Sequence, residues 1–300
     1  SWDVELLLSR DSRDTRALAR DRSRGSKRLI RHGVYAEESA VADLDLEEKH
    51  IVAMRALDAV TNRPLVFSHW SAMTGQGQDS LATRLGTVHV TFTEPGQRGL
   101  ERVSSHLLSL RDEEVVEVHG LLMTSVGRSV IDIAAAASFE EGVIAADSAL
   151  RSGLPREMLE LAVDLAGSRR APKRIAAVVA FADGRSGSVG ESLSRVTMHR
   201  MGLHPELQHK HFDHRGYIGK SDFFFSDERA ACEFDGRVKF VDERFAPNGA
   251  AEVLWNEKVR EDRMRAVNDG FARWGWPEAR DPHRLAPVLR AAGVQVPSRF

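Results

Sequence analysis

The sequence predicts an α+β to α/β protein. Three observations carry that reading: 42% of the 300 residues are hydrophobic, helical and strand periodicities alternate from residue 46 onward, and the last third reads as a helix followed by a strand meander. At roughly 150 residues per domain the chain has room for two domains or three small ones. Composition and punctuation divide it into a small basic winged-helix-like unit over 1–45, a mixed α/β domain over 46–182, and a third domain over 183–300 with a central sheet flanked by helices.

Within residues 10–31 lie Arg10, Arg13, Arg16, Arg20, Arg22, Arg24, Lys27, Arg28 and Arg31 against only Asp11, Asp14 and Asp21, a local charge of +6. Leu6–Leu8 and the Ala17, Leu18 pair suggest two short helices, and Leu29-Ile-Arg-His-Gly-Val-Tyr35 reads as a strand with a glycine kink. Arg13, Arg16, Arg20, Lys27, Arg28 and Arg31 are the candidate phosphate contacts of this unit. The competing reading is a solvated basic helix docked on the acidic stretch that follows, Glu37, Glu38, Asp43, Asp45, Glu47 and Glu48.

Residues 46–59 have helical spacing, 87–93 alternate as a strand, and 115–123 are β-rich. Two Ala-rich helices follow over 128–150, broken near Ser138, which is placed to cap the second. No nucleophile elbow, phosphate-binding glycine loop or His-Glu-x-x-His motif occurs here, so the region reads as scaffold. Ser68-His69-Trp70-Ser71 lacks an elbow turn and an oriented third group, and reads as a buried helix start. A helical pair over 154–182 precedes Asp183-Gly-Arg-Ser-Gly-Ser188, the expected domain boundary.

The chemistry lies in the last third. Residues 189–201 form an amphipathic helix with Glu191 in its first turn, and Glu206-Leu-Gln208 starts a strand. Residues 221–225 and 230–236 then pair as a β-hairpin around Ser226-Asp-Glu-Arg229, which sets Asp222 opposite Glu233 and places Asp235 on the face of Glu233. Phe223, Phe225, Cys232 and Phe234 fall on the other face, as a core requires. Like charges opposed across a sheet are destabilising, and a hard cation such as Mg²⁺ resolves them. The alternative is an acidic solvent-facing edge neutralised by Lys220, Arg237 or Lys239. His204, His209, His211 and His214 crowd one stretch without ligand-pair spacing and read as loop histidines. Lys258, Arg260 and Arg263, on a helix with Glu257, Glu261 and Asp262, are either phosphate contacts beside the acids or half of a mixed-charge surface. Trp255, Trp274 and Trp276 read as core and interface aromatics.

Glu191 on a helix, Gln208 on a first strand, Asp222 on a second and Glu233-x-Asp235-Gly236 on a third resemble the PD-(D/E)XK nuclease superfamily, and most closely its very-short-patch-repair (Vsr) type domains. The segments 257–263 and 271–276 resemble that fold's following helix and return strand. The resemblance implies metal binding by Glu191, Asp222 and Glu233, with Asp235, Gln208 and Lys239 as adjuncts near the attacking water. Two departures stand out: Asp235 occupies the position of the usual lysine, and Lys239 that of a histidine. Arg31-His-Gly-Val-Tyr35, Ser68-His-Trp-Ser-Ala72 and Thr124-Ser-Val-Gly-Arg-Ser-Val-Ile-Asp132 resemble actinobacterial proteins related to AbiEi-type antitoxins, repressors paired with a nucleotidyltransferase toxin.

Net charge is only −2, so no global field draws the chain to nucleic acid or membrane, and any such binding must be local. The single cysteine, Cys232, excludes an intramolecular disulfide framework and suits a reducing cytosol. No apolar run approaches the ~20 residues of a bilayer span, and the start Ser-Trp-Asp-Val-Glu lacks a secretory layout, so a cytoplasmic protein without a membrane partner is expected. The absence of an initiator Met suggests a processed start. The function expected is a Mg²⁺- or Mn²⁺-dependent DNA endonuclease, with a non-catalytic DNA-binding antitoxin repressor as the alternative. Metal–carboxylate chemistry leaves DNA and RNA undistinguished.

Overall fold

The computed structural model describes residues 2–10, 15–94, 102–166, 171–236 and 250–300. Arg13 and Lys239 lie outside them. The protein is a mixed α/β chain of two compact units, Ser1–Ala180 and Phe181–Phe300. The two expected N-terminal parts fall together in the first, and the glycine-rich break at 183–188 lies just inside the second. No helix among the described residues is long and apolar enough to cross a membrane.

The first unit opens with β1 (Leu7–Leu8), α1 (Thr15–Ser23), β2 (Lys27–Arg31), β3 (Val34–Glu37) and α2 (Glu38–Val41). The strands form an antiparallel sheet in the order β1-β3-β2. This corrects two expectations. The leucines at 6–8 contribute a strand rather than a helix, because Leu7 and Leu8 pair with Tyr35 and Val34. The segment 29–35 is a hairpin rather than one kinked strand, since Gly33 takes a φ of 78° that a side chain disfavours. α3 (Leu46–Val60) is started by a capping box in which Asp45 and Glu48 satisfy each other's backbone N–H.

β4 (Val66–Phe67), α4 (His69–Gly75), β5 (Val88–Phe92), β6 (Val103–Leu107), β7 (Val115–Val118) and β8 (Leu121–Thr124) follow, with sheet order β6-β5-β4-β8-β7. The β-rich stretch 115–123 thus splits into a hairpin, turning at His119 and Gly120, both with positive φ. Met54, Leu57, Phe67, Val88, Val90 and Met123 form the core beneath this sheet. α5 (Val126–Ala136) and α6 (Phe139–Arg151) are joined at Ser138, which caps α6 as its sequence predicts. Arg128 on α5 is buried and ion-paired to Glu114 at 2.7 Å and Asp132 at 3.0 Å, which gives the Arg128…Asp132 motif a structural role. α7 (Arg156–Ala166) and α8 (Pro172–Phe181) complete the helical pair.

The second unit runs α9 (Val189–Arg200), β9 (Glu206–Asp213), β10 (Gly216–Phe225), β11 (Ala230–Phe234), α10 (Ala250–Val267), β12 (Gly270–Trp274), α11 (Trp276–Ala279) and α12 (Pro282–Ala291). Its sheet has the order β12-β11-β10-β9, with β9, β10 and β11 an antiparallel meander and β12 parallel to β11. Parallel pairing needs a crossover, and α10 is that crossover. One apolar cluster joins Phe223, Phe225, Cys232 and Trp274 to Met198 of α9 and Leu285 and Leu289 of α12. A second joins Ile218, Phe224 and Ala231 to Met264 of α10. The sheet is therefore covered by helices on both faces. Cys232 is fully buried there, and burial pushes its thiol up to about 12, which removes it from nucleophilic chemistry. Trp274 is buried in the core at 4% exposure, whereas Trp255 is 65% exposed on α10.

Candidate functional site

The hairpin register is the one its sequence sets: Phe223 pairs with Cys232, Phe224 with Ala231 and Phe225 with Ala230. One step further brings Asp222 opposite Glu233. At that step the ladder ends, and the Asp222 side chain takes over as partner, its Oδ2 accepting the Phe234 backbone N–H at 2.9 Å. Asp222 is thereby tied to the end of β11 by a backbone hydrogen bond.

Glu191 is brought to the same place by the start of α9. Ser188 caps that helix, its Oγ accepting the Glu191 N–H, and the Ser188 hydroxyl donates to Glu191 Oε1 at 3.0 Å. The Gly187 N–H donates to Oε2 at 2.7 Å. Gly190 makes the approach possible: a Cβ there would stand 2.0 Å from Phe234 Cε1 on β11. Gln208 then ties the group together, its Nε2 donating to Glu191 Oε2 at 3.1 Å and to Asp222 Oδ1 at 3.4 Å. Gln208 holds a φ of 56°, a left-handed conformation inside a strand. That kink breaks the strand alternation: Leu207 lies in the α9–α12 core, while His209 and His211 pack on Phe224 in the other cluster.

The electrostatics of Asp222 follow from this placement. Burial first, and then the charge of Glu191, raise its carboxyl from 3.8 to about 7, with Glu233 adding to the rise while the Phe234 N–H and Gln208 pull it back. A buried carboxylate pair of this kind binds either a proton or a cation.

Glu233 has different company. Arg260 donates to both of its oxygens at 2.9 and 3.1 Å, and Arg273 donates to Oε2 at 2.6 Å. Both guanidiniums also reach Glu257, and Arg273 lies 3.3 Å from Glu261. The expected gathering of Asp222, Glu233 and Asp235 around one ion is thereby corrected. Asp222 belongs with Glu191 and Gln208, and Glu233 belongs to an arginine–carboxylate network under α10. The acids do not form a triple of close ligand atoms among the described residues. Among the described residues, Arg260 and Arg273 neutralise Glu233, while Arg237 and Lys239 lie outside them. Asp235 sits beyond the end of β11, where its N–H donates to the Trp274 carbonyl at 2.7 Å.

The candidate phosphate contacts divide in the same way. Arg260 is held by Glu233 and Glu257, and Arg263 by both oxygens of Asp213 at 2.7 and 2.8 Å, so their charges are spent internally. Lys258 is exposed on α10. Lys27 on β2 pairs with Glu37 on β3, and Arg28 on β2 with Glu38 on α2. Arg16 and Arg20 lie on α1, and Arg31 ends β2. Two of the clustered histidines lie on β9 instead of in a loop, where His209 pairs with Glu206 and His211 is buried between Ser221 and Asn268. Burial drives the His211 imidazole down to about 4.

Arg273, Ser188 and Gly187 are site residues that sequence reasoning missed. Ser188 was visible in principle as the residue three before Glu191, the spacing of a capping motif. Arg273 was not, since it reaches Glu233 only through the parallel pairing of β12 with β11, where Glu233 is its direct partner.

No family model matches the chain. Two proteins from strains of Mycobacterium tuberculosis, both described only as uncharacterized, are 30% identical to it over 151 residues, 50% of this chain and 56% of theirs. The match thus spans little more than half the length of these relatives.

Proposed function

We propose that the unit of residues 181–300 is a PD-(D/E)XK-type nuclease domain that hydrolyses DNA phosphodiester bonds with Mg²⁺ or Mn²⁺, in phage or plasmid defence. The carrying observation is the Gln208 bridge between Glu191 and Asp222, which gathers residues of α9, β9 and β10 at the end of the hairpin whose next strand bears Glu233. Helix, three-strand meander, crossover helix and parallel strand follow in the order that the sequence resemblance implies.

The donor set fits a hard cation at one pole only. Glu191 and Asp222 offer buried carboxylate oxygens, the ligands Mg²⁺ prefers, and would hold it. Glu233 does not fit as placed, because both of its oxygens accept guanidinium N–H groups. When bound, the ion would supply charge stabilisation at the scissile phosphate and a more acidic water. The chain's own residues do the rest: Gln208 and the Phe234 N–H fix the Asp222 orientation, and Ser188 and Gly187 fix Glu191. Exposed Lys258 and the arginines of α1 are the proposed phosphate contacts, which would position DNA without reading its sequence. The test is nicking of supercoiled plasmid with Mg²⁺ or Mn²⁺. Wild type should nick, and Asp222→Asn and Glu191→Gln should each lower the rate at least about 100-fold.

The arginine clamp on Glu233, together with Asp235 in the lysine position, favours a second reading: a non-catalytic DNA-binding repressor of the AbiEi antitoxin type, with a nucleotidyltransferase toxin as partner. Absence of metal-dependent cleavage, with operator binding unchanged in Asp222→Asn, decides for it.

A further inference from the structure

Three histidines far apart in sequence meet in the first unit, away from the carboxylates. His69 is the first residue of α4, His89 lies on β5 and His106 on the neighbouring parallel strand β6. One ring nitrogen or another of each lies within 4.8 Å of the others, the one such triple among the described residues. His89 Nδ1 and His106 Nε2 are 3.1 Å apart, and the His69 ring stacks on His106 with centroids 3.7 Å apart.

Several features mark this as a built arrangement. His69 is 3% exposed and holds a φ of 51°, a left-handed conformation that costs free energy and must be held by its surroundings. On β5, Val88 and Val90 enter the core, which leaves His89 and Thr91 sharing the opposite face. Thr91 is the register partner of His106, and its buried Oγ1 has no hydrogen-bond partner among the described residues. Ser68 Oγ lies 3.0 Å from His69 Nδ1, the kind of outer contact that orients an imidazole ligand through its other ring nitrogen.

We infer that His69, His89 and His106 form a binding site for a divalent transition-metal ion of the Zn²⁺ class, with a fourth position open to water. Two imidazole nitrogens bound to one ion at ~2.0–2.1 Å in tetrahedral geometry stand roughly 3.3 Å apart, close to the separation of His89 and His106 here. Imidazole torsions about the ring bond are broad, so ring rotation is the movement that would bring the three nitrogens onto one ion. An all-imidazole set selects Zn²⁺, Co²⁺, Ni²⁺ or Cu²⁺ over Mg²⁺, whereas Glu191 and Asp222 have the opposite preference. The site thus stands independently of the nuclease reading.

The experiment is titration of the full-length, metal-stripped protein with Zn²⁺ in excess Mg²⁺, followed by calorimetry, and with Co²⁺, followed by visible absorption. Wild type should bind one ion per chain and give the d–d bands of low-coordinate cobalt with nitrogen ligands. His106→Gln, on a half-buried edge strand, and His89→Gln should weaken Zn²⁺ binding at least 100-fold with unchanged circular dichroism. His204→Gln, in the other unit, should leave it intact. A wild-type protein that gives no such cobalt bands overturns the inference without recourse to any variant, and so does Zn²⁺ binding that survives in folded His106→Gln.

Discussion

Asp222 and Glu233 stand opposite each other at the end of the β10–β11 ladder, yet they answer to different partners. Asp222 accepts the Phe234 N–H at 2.9 Å and a Gln208 N–H at 3.4 Å, while Glu233 is held by Arg260 at 2.9 Å and Arg273 at 2.6 Å. One carboxylate is left to bind a proton or a metal ion. The other is already neutralised. The first two predictions below follow from that division.

Stability should depend on pH through Asp222. Its folded carboxyl is raised to about 7 from 3.8, so between those values the folded chain holds a proton that the unfolded chain has released. Stability is therefore highest below pH 4 as far as this group is concerned, and falls by up to about 1.4 kcal/mol per pH unit as pH rises toward 7. Urea unfolding of wild type and Asp222→Asn at pH 5 and pH 8 checks this: the variant should lose less stability than wild type over that interval. Millimolar Mg²⁺ should restore wild-type stability at pH 8 and leave Asp222→Asn unchanged.

Arg273→Met should destabilise the second unit by about 2–3 kcal/mol, less than the loss of a fully buried pair, because the Arg273 side chain is 24% exposed and Arg260 remains on Glu233. The double variant Arg273→Met, Glu233→Gln should recover more than half of that loss in the same urea assay. A double variant no better than the single one would show that Arg273 acts through Glu257 and Glu261 instead.

Gly190→Ala sets two effects against each other. Helix propensity favours alanine by about 1 kcal/mol, but its Cβ would stand 2.0 Å from the Phe234 ring, and overpacking of that kind costs about 1–3 kcal/mol. Destabilisation should win, and nicking should fall with it as α9 shifts Glu191 away from Asp222. In a Phe234→Leu background the same alanine should become neutral or stabilising, measured as a difference in thermal midpoint.

In the first unit, Arg128→Met should cost about 3–5 kcal/mol, since Arg128 is 2% exposed and its removal strips Glu114 and Asp132 of their buried guanidinium. Arg128→Lys should recover only part of this, because an ammonium cannot reproduce the planar fork that bonds Asp132 and the Ser109 carbonyl together. Thermal unfolding of the full chain gives both values.

The sequence by itself determined whatever depends on short-range period and caps. The register of the hairpin, read from alternation around a four-residue turn, is the observed pairing of Phe223 with Cys232. Ser138 ends up capping α6, and Glu191 lies in the first turn of α9. Tertiary structure alone decided which acids share a site. The left-handed Gln208 breaks the alternation that sequence must assume, the parallel β12 delivers Arg273 to Glu233, and the adjacency of β5 and β6 brings His89 to His106. The physical reason is range: side-chain period and capping act over a few residues and are written locally, whereas crossover pairing and ion-pair choice depend on which distant strands come to lie 4.8 Å apart, roughly the spacing within any sheet.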